Sequence, residues 1–255
     1  MSGPRISVII PYYKAAAFVE NAVASIRRQN YTNLEIILID DGSEDDVAAR
    51  VKGWGDDIVF LQQPNKGPAA ARNLGIQKAT GEIIAFLDAD DLWPDDKLAV
   101  QLPKLEQDGE LGIVTGRVQY VRLAGAEDRE LPFDENNTIV HVHLGATLVR
   151  REVFERTGLF NEGLRMSEDM DWFLRVRENQ VKTVILPETV LIYQMHAFNM
   201  TRQLTVKNAR MIEVLKASLN RRRAAQGEAK DLGSFSEYGG AAKLDVSRFI
   251  RKSGN

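Results

Sequence analysis

The chain has 255 residues, of which 44% are hydrophobic and 27% charged, with no cysteine and a formal net charge of -3. That length supports a substantial core and the composition is that of a soluble globular protein. The absence of cysteine excludes disulfides, thiolate zinc sites and cysteine nucleophiles, and the lack of a basic excess excludes a nucleic-acid binder that works through global charge.

In chain order, Ile6 to Ile10 is an apolar run stopped by Pro11, which suits a strand buried on both faces of a parallel sheet. It reads as a first strand and not as a signal peptide, and no apolar stretch is long enough to span a bilayer. Residues 16–28 carry Phe18, Val19, Ala22, Val23 and Ile26 at helical spacing. Leu34 to Ile39 is a second strand ending in Asp40-Asp41-Gly42-Ser43, and Ser43 is expected to cap a helix over 44–52. A third strand over 58–62 is followed by the turn-forming Pro64-Asn65-Lys66-Gly67-Pro68 and a helix over 69–79. These strand-helix passages predict right-handed crossovers and a mixed, mostly parallel α/β sheet flanked by helices.

The fourth strand, Ile83 to Leu87, ends in Asp88-Ala89-Asp90-Asp91, three carboxylates within four residues. Folding alone gives no reason to gather them. Open α/β sheets bind ligands outside the carboxyl ends of their strands. Neighbouring carboxylates repel unless a cation joins them, and hard oxygen ligands favour Mg²⁺ or Mn²⁺ together with substrate phosphates. An aspartyl-phosphate phosphatase would place its acids earlier and follow them with Thr or Val; a calcium loop would need a glycine and a distal Glu that Trp93-Pro94 displaces. At Asp40-Asp41, nucleoside recognition and simple helix capping both remain open. Gly67 to Gly75 lacks the spacing of a dinucleotide fingerprint and the ending of a P-loop.

Further on, the pattern predicts a helix over 95–107, a strand over 112–121, a polar surface excursion over 122–138 and a strand over 139–149. Helices over 151–157 and 170–177 follow, then strands over 181–186 and 190–193 separated by Pro187. A helix over 205–223 and a flexible tail over 224–255 complete the chain.

Taken in order, Val8-Ile9-Ile10-Pro11-Tyr12-Tyr13, Ile39-Asp40-Asp41-Gly42-Ser43, Asn65-Lys66-Gly67 with Ala71-Arg72-Asn73-Leu74-Gly75, and Phe86-Leu87-Asp88-Ala89-Asp90-Asp91 resemble the family 2 inverting glycosyltransferases of GT-A fold. The resemblance runs from about Ile6 to Thr201. It implies a 1–201 catalytic domain with a nucleotide-binding half over 6–91 and an acceptor-binding half over 92–201, followed by the helix and tail. It also implies a nucleotide-diphospho-sugar donor, a UDP-sugar foremost, and a bridging divalent cation, Mn²⁺ or Mg²⁺. The acceptor would be a carbohydrate, lipid-linked or protein hydroxyl, and the setting the cytoplasm, with peripheral contact to the inner face of a membrane.

Position by position, the resemblance puts Pro11 and Tyr13 in the nucleoside pocket, Asp41 toward the base, and Lys66, Gly67 and Arg72 near the nucleotide. Asp88 would serve the ribose or a metal-bound water, and Asp90 and His196 the metal. In Ser167-Glu168-Asp169-Met170-Asp171-Trp172 the second acid of the Glu-Asp pair, Asp169, would be the general base, with Glu168 and Trp172 on the substrate side. Tyr193 to Thr201 keeps the family's His as His196, but Gln194 replaces its Arg, and Asn199 and Thr201 replace its serines. Lys14 stands where the family usually has Asn. These departures motivate a second reading, a degenerate domain that holds a sugar nucleotide for a partner enzyme without turnover. A nucleotidyltransferase is disfavoured because no Gly-rich basic loop follows the first strand. His141 and His143 read as structural or acceptor-side residues, and Arg221-Arg222-Arg223 as complementing a helix dipole or touching anionic lipid.

Overall fold

The computed structural model describes residues 3–127, 138–139, 143–200 and 210–226. Its strands are β1 (Ile6–Tyr12), β2 (Leu34–Asp40), β3 (Ile58–Gln62), β4 (Ile83–Phe86), β5 (Ile113–Arg122), β6 (Thr138–Ile139), β7 (Leu148–Arg150) and β8 (Thr183–Met195). Its helices are α1 (Val19–Arg27), α2 (Val47–Val51), α3 (Pro68–Lys78), α4 (Lys97–Gln107), α5 (Arg151–Thr157), α6 (Glu168–Glu178) and α7 (Met211–Gln226). The strands form one mixed eight-stranded sheet in the order β3-β2-β1-β4-β7-β5-β6, with β8 beside β5. The β3-β2-β1-β4 block is parallel throughout, as its crossovers require, and β8 also runs parallel to β5. The strand β7 enters antiparallel between β4 and β5.

Both faces of the central strands are covered. Side chains alternate along a strand, so Ile6, Val8 and Ile10 enter one apolar layer with Val23 and Ile26 of α1 and Leu98 and Leu102 of α4. Ile9 enters the opposite layer with Ile76 of α3, Phe154 of α5 and Trp172 of α6. This explains why β1, β2 and β4 read as unbroken apolar runs. Helix α3 approaches the sheet so closely that a Cβ on Gly75 would lie 2.4 Å from Ile9 Cγ2. Only glycine allows that contact.

Several boundaries differ from expectation for local reasons. Helix α2 begins at Val47, and Ser43 does not cap it; the Ser43 hydroxyl instead accepts the Lys14 backbone N–H at 2.9 Å. The strand expected over 139–149 is broken into β6, a 3-10 turn at Leu144–Ala146 and β7. The two strands expected around Pro187 are one, because register shifts opposite residues 115–118 absorb the proline, which donates no ladder hydrogen bond. The expected helix over 205–223 is seen from Met211 to Gln226. Residues 201–209, the tail over 227–255, most of the excursion over 128–137, and His141 lie outside the described residues. No helix among the described residues is long and apolar enough to cross a membrane.

Candidate active site

The acidic turn leaves β4 and is fastened to β8 at once. Asp91 N–H donates to Asp88 O at 3.0 Å, Leu92 N–H to Ile192 O at 3.0 Å, and Ile192 N–H back to Leu92 O at 2.8 Å. A turn tied at both ends to a sheet holds its side chains in fixed directions.

The three acids then divide. Asp88 Oδ1 accepts Arg72 Nη2 at 2.7 Å; although burial opposes ionisation, Arg72 holds this carboxyl below its ordinary range. Asp90 Oδ2 accepts His196 Nε2–H at 2.9 Å and Asn199 Nδ2 at 3.2 Å, and its carbonyl accepts Gln194 Nε2 at 2.6 Å. Asp91 Oδ1 accepts the Gln194 N–H at 3.0 Å, while its enclosed Oδ2 has no hydrogen-bond partner. Burial, then the charges of Asp90 and Asp88, push the Asp91 carboxyl well up.

Sequence reasoning read His143 as a structural or acceptor-side residue and did not bring it to the acids. It lies between β6 and β7 in sequence and brings Nε2 to 3.8 Å from Asp91 Oδ2. Asp88, Asp91 and His143 each offer a ligand atom, all within 4.8 Å of one another. An orphaned, buried carboxylate oxygen among further carboxylates is what a divalent cation would satisfy, so the carboxylates of Asp88 and Asp91 fit Mn²⁺ or Mg²⁺. The available signal was the spacing of two histidines on a strand, but nothing in the sequence showed that the chain returns His143 to the acids.

Arg72 joins this turn to α6. It is buried at the start of α3, and Nη1 reaches Glu168 Oε1 at 2.5 Å. Burial and the neighbouring Asp169 raise the Glu168 pKa to about 7 against the opposing pull of Arg72. Asp169 is half-buried in the first turn of α6, where its Oδ1 accepts the Met170 N–H at 2.7 Å. Ser167, just before the helix, has φ of 63°, a left-handed conformation costly for serine. It marks the bend that turns the Glu-Asp pair toward the acidic turn.

On the nucleotide side, Asp41 is buried and fully engaged. Its Oδ1 accepts Gln63 Nε2 and the Lys66 N–H, each at 2.8 Å, and its Oδ2 accepts the Gly67 N–H at 2.8 Å. The carboxylate therefore fixes the loop that opens α3. Gly67, at φ 93° and ψ 168°, occupies backbone space open to glycine alone. Pro11 is half-buried in β1, and Tyr13 just beyond it is exposed with Lys14 Nζ 5.2 Å from its ring centre. Lys14 has φ of 52°, a conformation asparagine tolerates better, so this departure from the family pattern carries backbone strain.

One expectation needs correction. Trp172 is not on a substrate surface: it is fully buried, stacks on Phe154 at 4.8 Å and donates its indole N–H to Thr157 Oγ1 at 3.0 Å. Trp172 lies in the apolar layer with Phe154 and Phe160, and the first-turn acids beside it mark no solvent face, since Glu168 and Asp171 are buried as well. Arg221 of α7 pairs with Glu178 at 2.7 Å and Asp171 at 3.1 Å.

A model of the family described as Glycosyl transferase family 2 matches residues 7–158. The chain is 28% identical over 270 residues to the uncharacterized glycosyltransferase EpsJ of Bacillus subtilis, across 97% of this chain and 75% of that protein. It is 44% identical over 109 residues to an uncharacterized glycosyltransferase of Rickettsia conorii, a match spanning 42% of this chain but only 18% of that protein. Among solved structures, Staphylococcus aureus TarS 1-349 in complex with UDP-GlcNAc superposes with a TM-score of 0.71 at 18% identity, covering 88% of this chain and 68% of that one. The mannosyltransferase PcManGT from Pyrobaculum calidifontis, in complex with GDP-Man and Mn²⁺, gives 0.61 at 24% identity, covering 89% and 66%. At these identities the two structures speak to the fold, which is of GT-A type.

Proposed function

The chain belongs to glycosyl transferase family 2, and on that premise we propose that it moves a sugar from a UDP-sugar to an acceptor hydroxyl with inversion at the anomeric carbon. The observation that carries this reading is the bridge Asp88–Arg72–Glu168, which links the acidic turn after β4 to the helix bearing Asp169. Single displacement needs those two groups on opposite sides of one sugar.

In this reading Asp169 takes the proton from the acceptor hydroxyl as that oxygen attacks the anomeric carbon and the diphosphate departs. Glu168, locked to Arg72, holds the first turn of α6 so that Asp169 faces the acceptor. Pro11 and Tyr13 flank the nucleoside, Asp41 shapes the loop of Lys66 and Gly67 beside it, and Asp88 and Asp90 present carboxylates toward the diphosphate. Bound Mn²⁺ or Mg²⁺ would offset the negative charge that grows on the leaving group. The UDP-sugar assignment draws on TarS, whose structure holds UDP-GlcNAc, and the cation on PcManGT, whose structure holds Mn²⁺.

The test is a panel of UDP-sugars and GDP-Man with Mn²⁺, read first by thermal stabilisation and then by nucleotide release. A donor at a hundred times its Kd stabilises the fold by about 2.7 kcal/mol. If no nucleotide sugar raises the melting temperature, the reading fails. Binding with neither hydrolysis nor transfer to carbohydrate, lipid-linked or protein acceptors would favour the non-catalytic partner instead.

A further inference from the structure

Both histidines at the acidic turn are held in the same tautomer. The Phe198 N–H donates to His196 Nδ1 at 3.2 Å, and the Gly145 N–H donates to His143 Nδ1 at 3.1 Å. A neutral imidazole whose Nδ1 accepts must carry its proton on Nε2. For His196 that proton is spent on Asp90 Oδ2 at 2.9 Å, and the ring is further fixed by stacking on Phe18 at 4.4 Å. A metal ligand needs a lone pair on the coordinating nitrogen and usually donates from the other one. His196 has the reverse arrangement.

The rest of the segment repeats that direction of donation. Asn199 Oδ1 accepts the His196 N–H at 2.6 Å, while its Nδ2 donates to Asp90 Oδ2 at 3.2 Å and to Gln194 O at 3.1 Å. Gln194 donates its side chain to Asp90 O and its backbone N–H to Asp91 Oδ1. Asp90 Oδ1 accepts nothing from any described residue. We propose that Gln194, His196 and Asn199 form a clasp that positions Asp90 and Asp91 for a divalent cation, with His196 acting as an Nε2–H donor and not as a ligand. The departures at positions 194 and 199 are then the parts of the clasp. The inference rests on the reading of the acidic turn as a cation site, and adds positioning residues to it.

The test uses Mn²⁺ alone, titrated into the full chain and followed by the electron paramagnetic resonance of the free ion, beside ¹⁵N NMR of the imidazoles with and without Mg²⁺. Asn199→Ala and His196→Ala are expected to weaken Mn²⁺ binding by about 10- to 100-fold, as loss of a group that orients a ligand does. His196→Gln places an amide N–H where Nε2–H stood and is expected to stay within about 3-fold of the unmodified protein, far short of that loss. Metal-free melting curves check that each variant folds. His196 is expected in the Nε2–H tautomer, unchanged by Mg²⁺. A shift to the Nδ1–H tautomer on adding Mg²⁺, or equal losses for His196→Gln and His196→Ala, would overturn the proposal. So would unaltered Mn²⁺ binding by Asn199→Ala, or no Mn²⁺ binding by the unmodified protein. In that last case glycosyl transfer itself is still decided by the donor panel.

Discussion

Arg72 and Glu168, 96 positions apart in sequence, meet at 2.5 Å inside the protein. A buried guanidinium between two carboxylates is a two-sided bond, with Asp88 on its other arm at 2.7 Å. Removing it strands the buried Glu168 and the part-exposed Asp88, and breaking a buried pair costs about 3–5 kcal/mol. Arg72→Ala should lose stability on that scale in urea unfolding. Arg72→Lys should also fall short of the unmodified protein, because one ammonium cannot reproduce the planar fork that reaches both acids. Equal stability of Arg72→Lys and the original would show that the fork is immaterial.

The pH response of folding should carry the mark of Glu168. Its folded pKa of about 7 stands above the ordinary 4.5, mainly through burial. The folded state therefore keeps this proton longer than the unfolded chain does. Its contribution to stability is complete below pH 4.5 and is lost as pH rises through about 7. Glu168→Gln, which cannot titrate, should flatten the stability curve across that window. An unaltered slope between those limits would remove the assignment.

For the chemistry, Asp169→Asn keeps shape and hydrogen bonding but cannot accept a proton. Transfer should drop by about 10²- to 10⁴-fold, the usual range for a general base, with the melting temperature close to that of the parent. Donor binding should be retained. A variant with full transfer activity would move the base elsewhere, and Glu168 would be the next group to examine.

The close approach of α3 to the sheet can be tested with one methyl group. Gly75→Ala would place its Cβ 2.4 Å from Ile9 and 3.0 Å from Ile39 Cδ1, so the helix must shift, at about 1–3 kcal/mol. Gly109→Ala is the control. Nothing lies within 4 Å of its added Cβ, and stability should hold or rise by up to about 1 kcal/mol. Chemical denaturation of the two variants side by side decides whether the contact is as tight as described.

The legible parts of this protein were those written in adjacent residues. Apolar runs ending in acids gave the parallel strands and the turn at Asp88 to Asp91, and spacing gave most helices. What stayed hidden depends on return of the chain over long separations. Ser43 looked like a cap, yet its hydroxyl was needed by Lys14, whose strained backbone the sequence does not display. Trp172 sits beside catalytic-looking acids, but helical periodicity turns it inward. His143 gains its meaning only from Asp91, and Gln194 and Asn199 looked like losses until their donors were seen on Asp90.

The parallel seam between β5 and β8 has a practical consequence for anyone who shortens this chain. The family match ends at residue 158, but β8 begins at Thr183 and lies along β5 from Ile113 to Arg122. A fragment trimmed to the matched segment would keep every acid of the turn while baring a ten-residue edge of unpaired backbone donors and acceptors. Such an edge is a template for other chains to add to, so the fragment should self-associate more readily than the longer chain. The boundary suggested by similarity and the boundary set by hydrogen bonding are different places, and only the second keeps this edge of β5 paired.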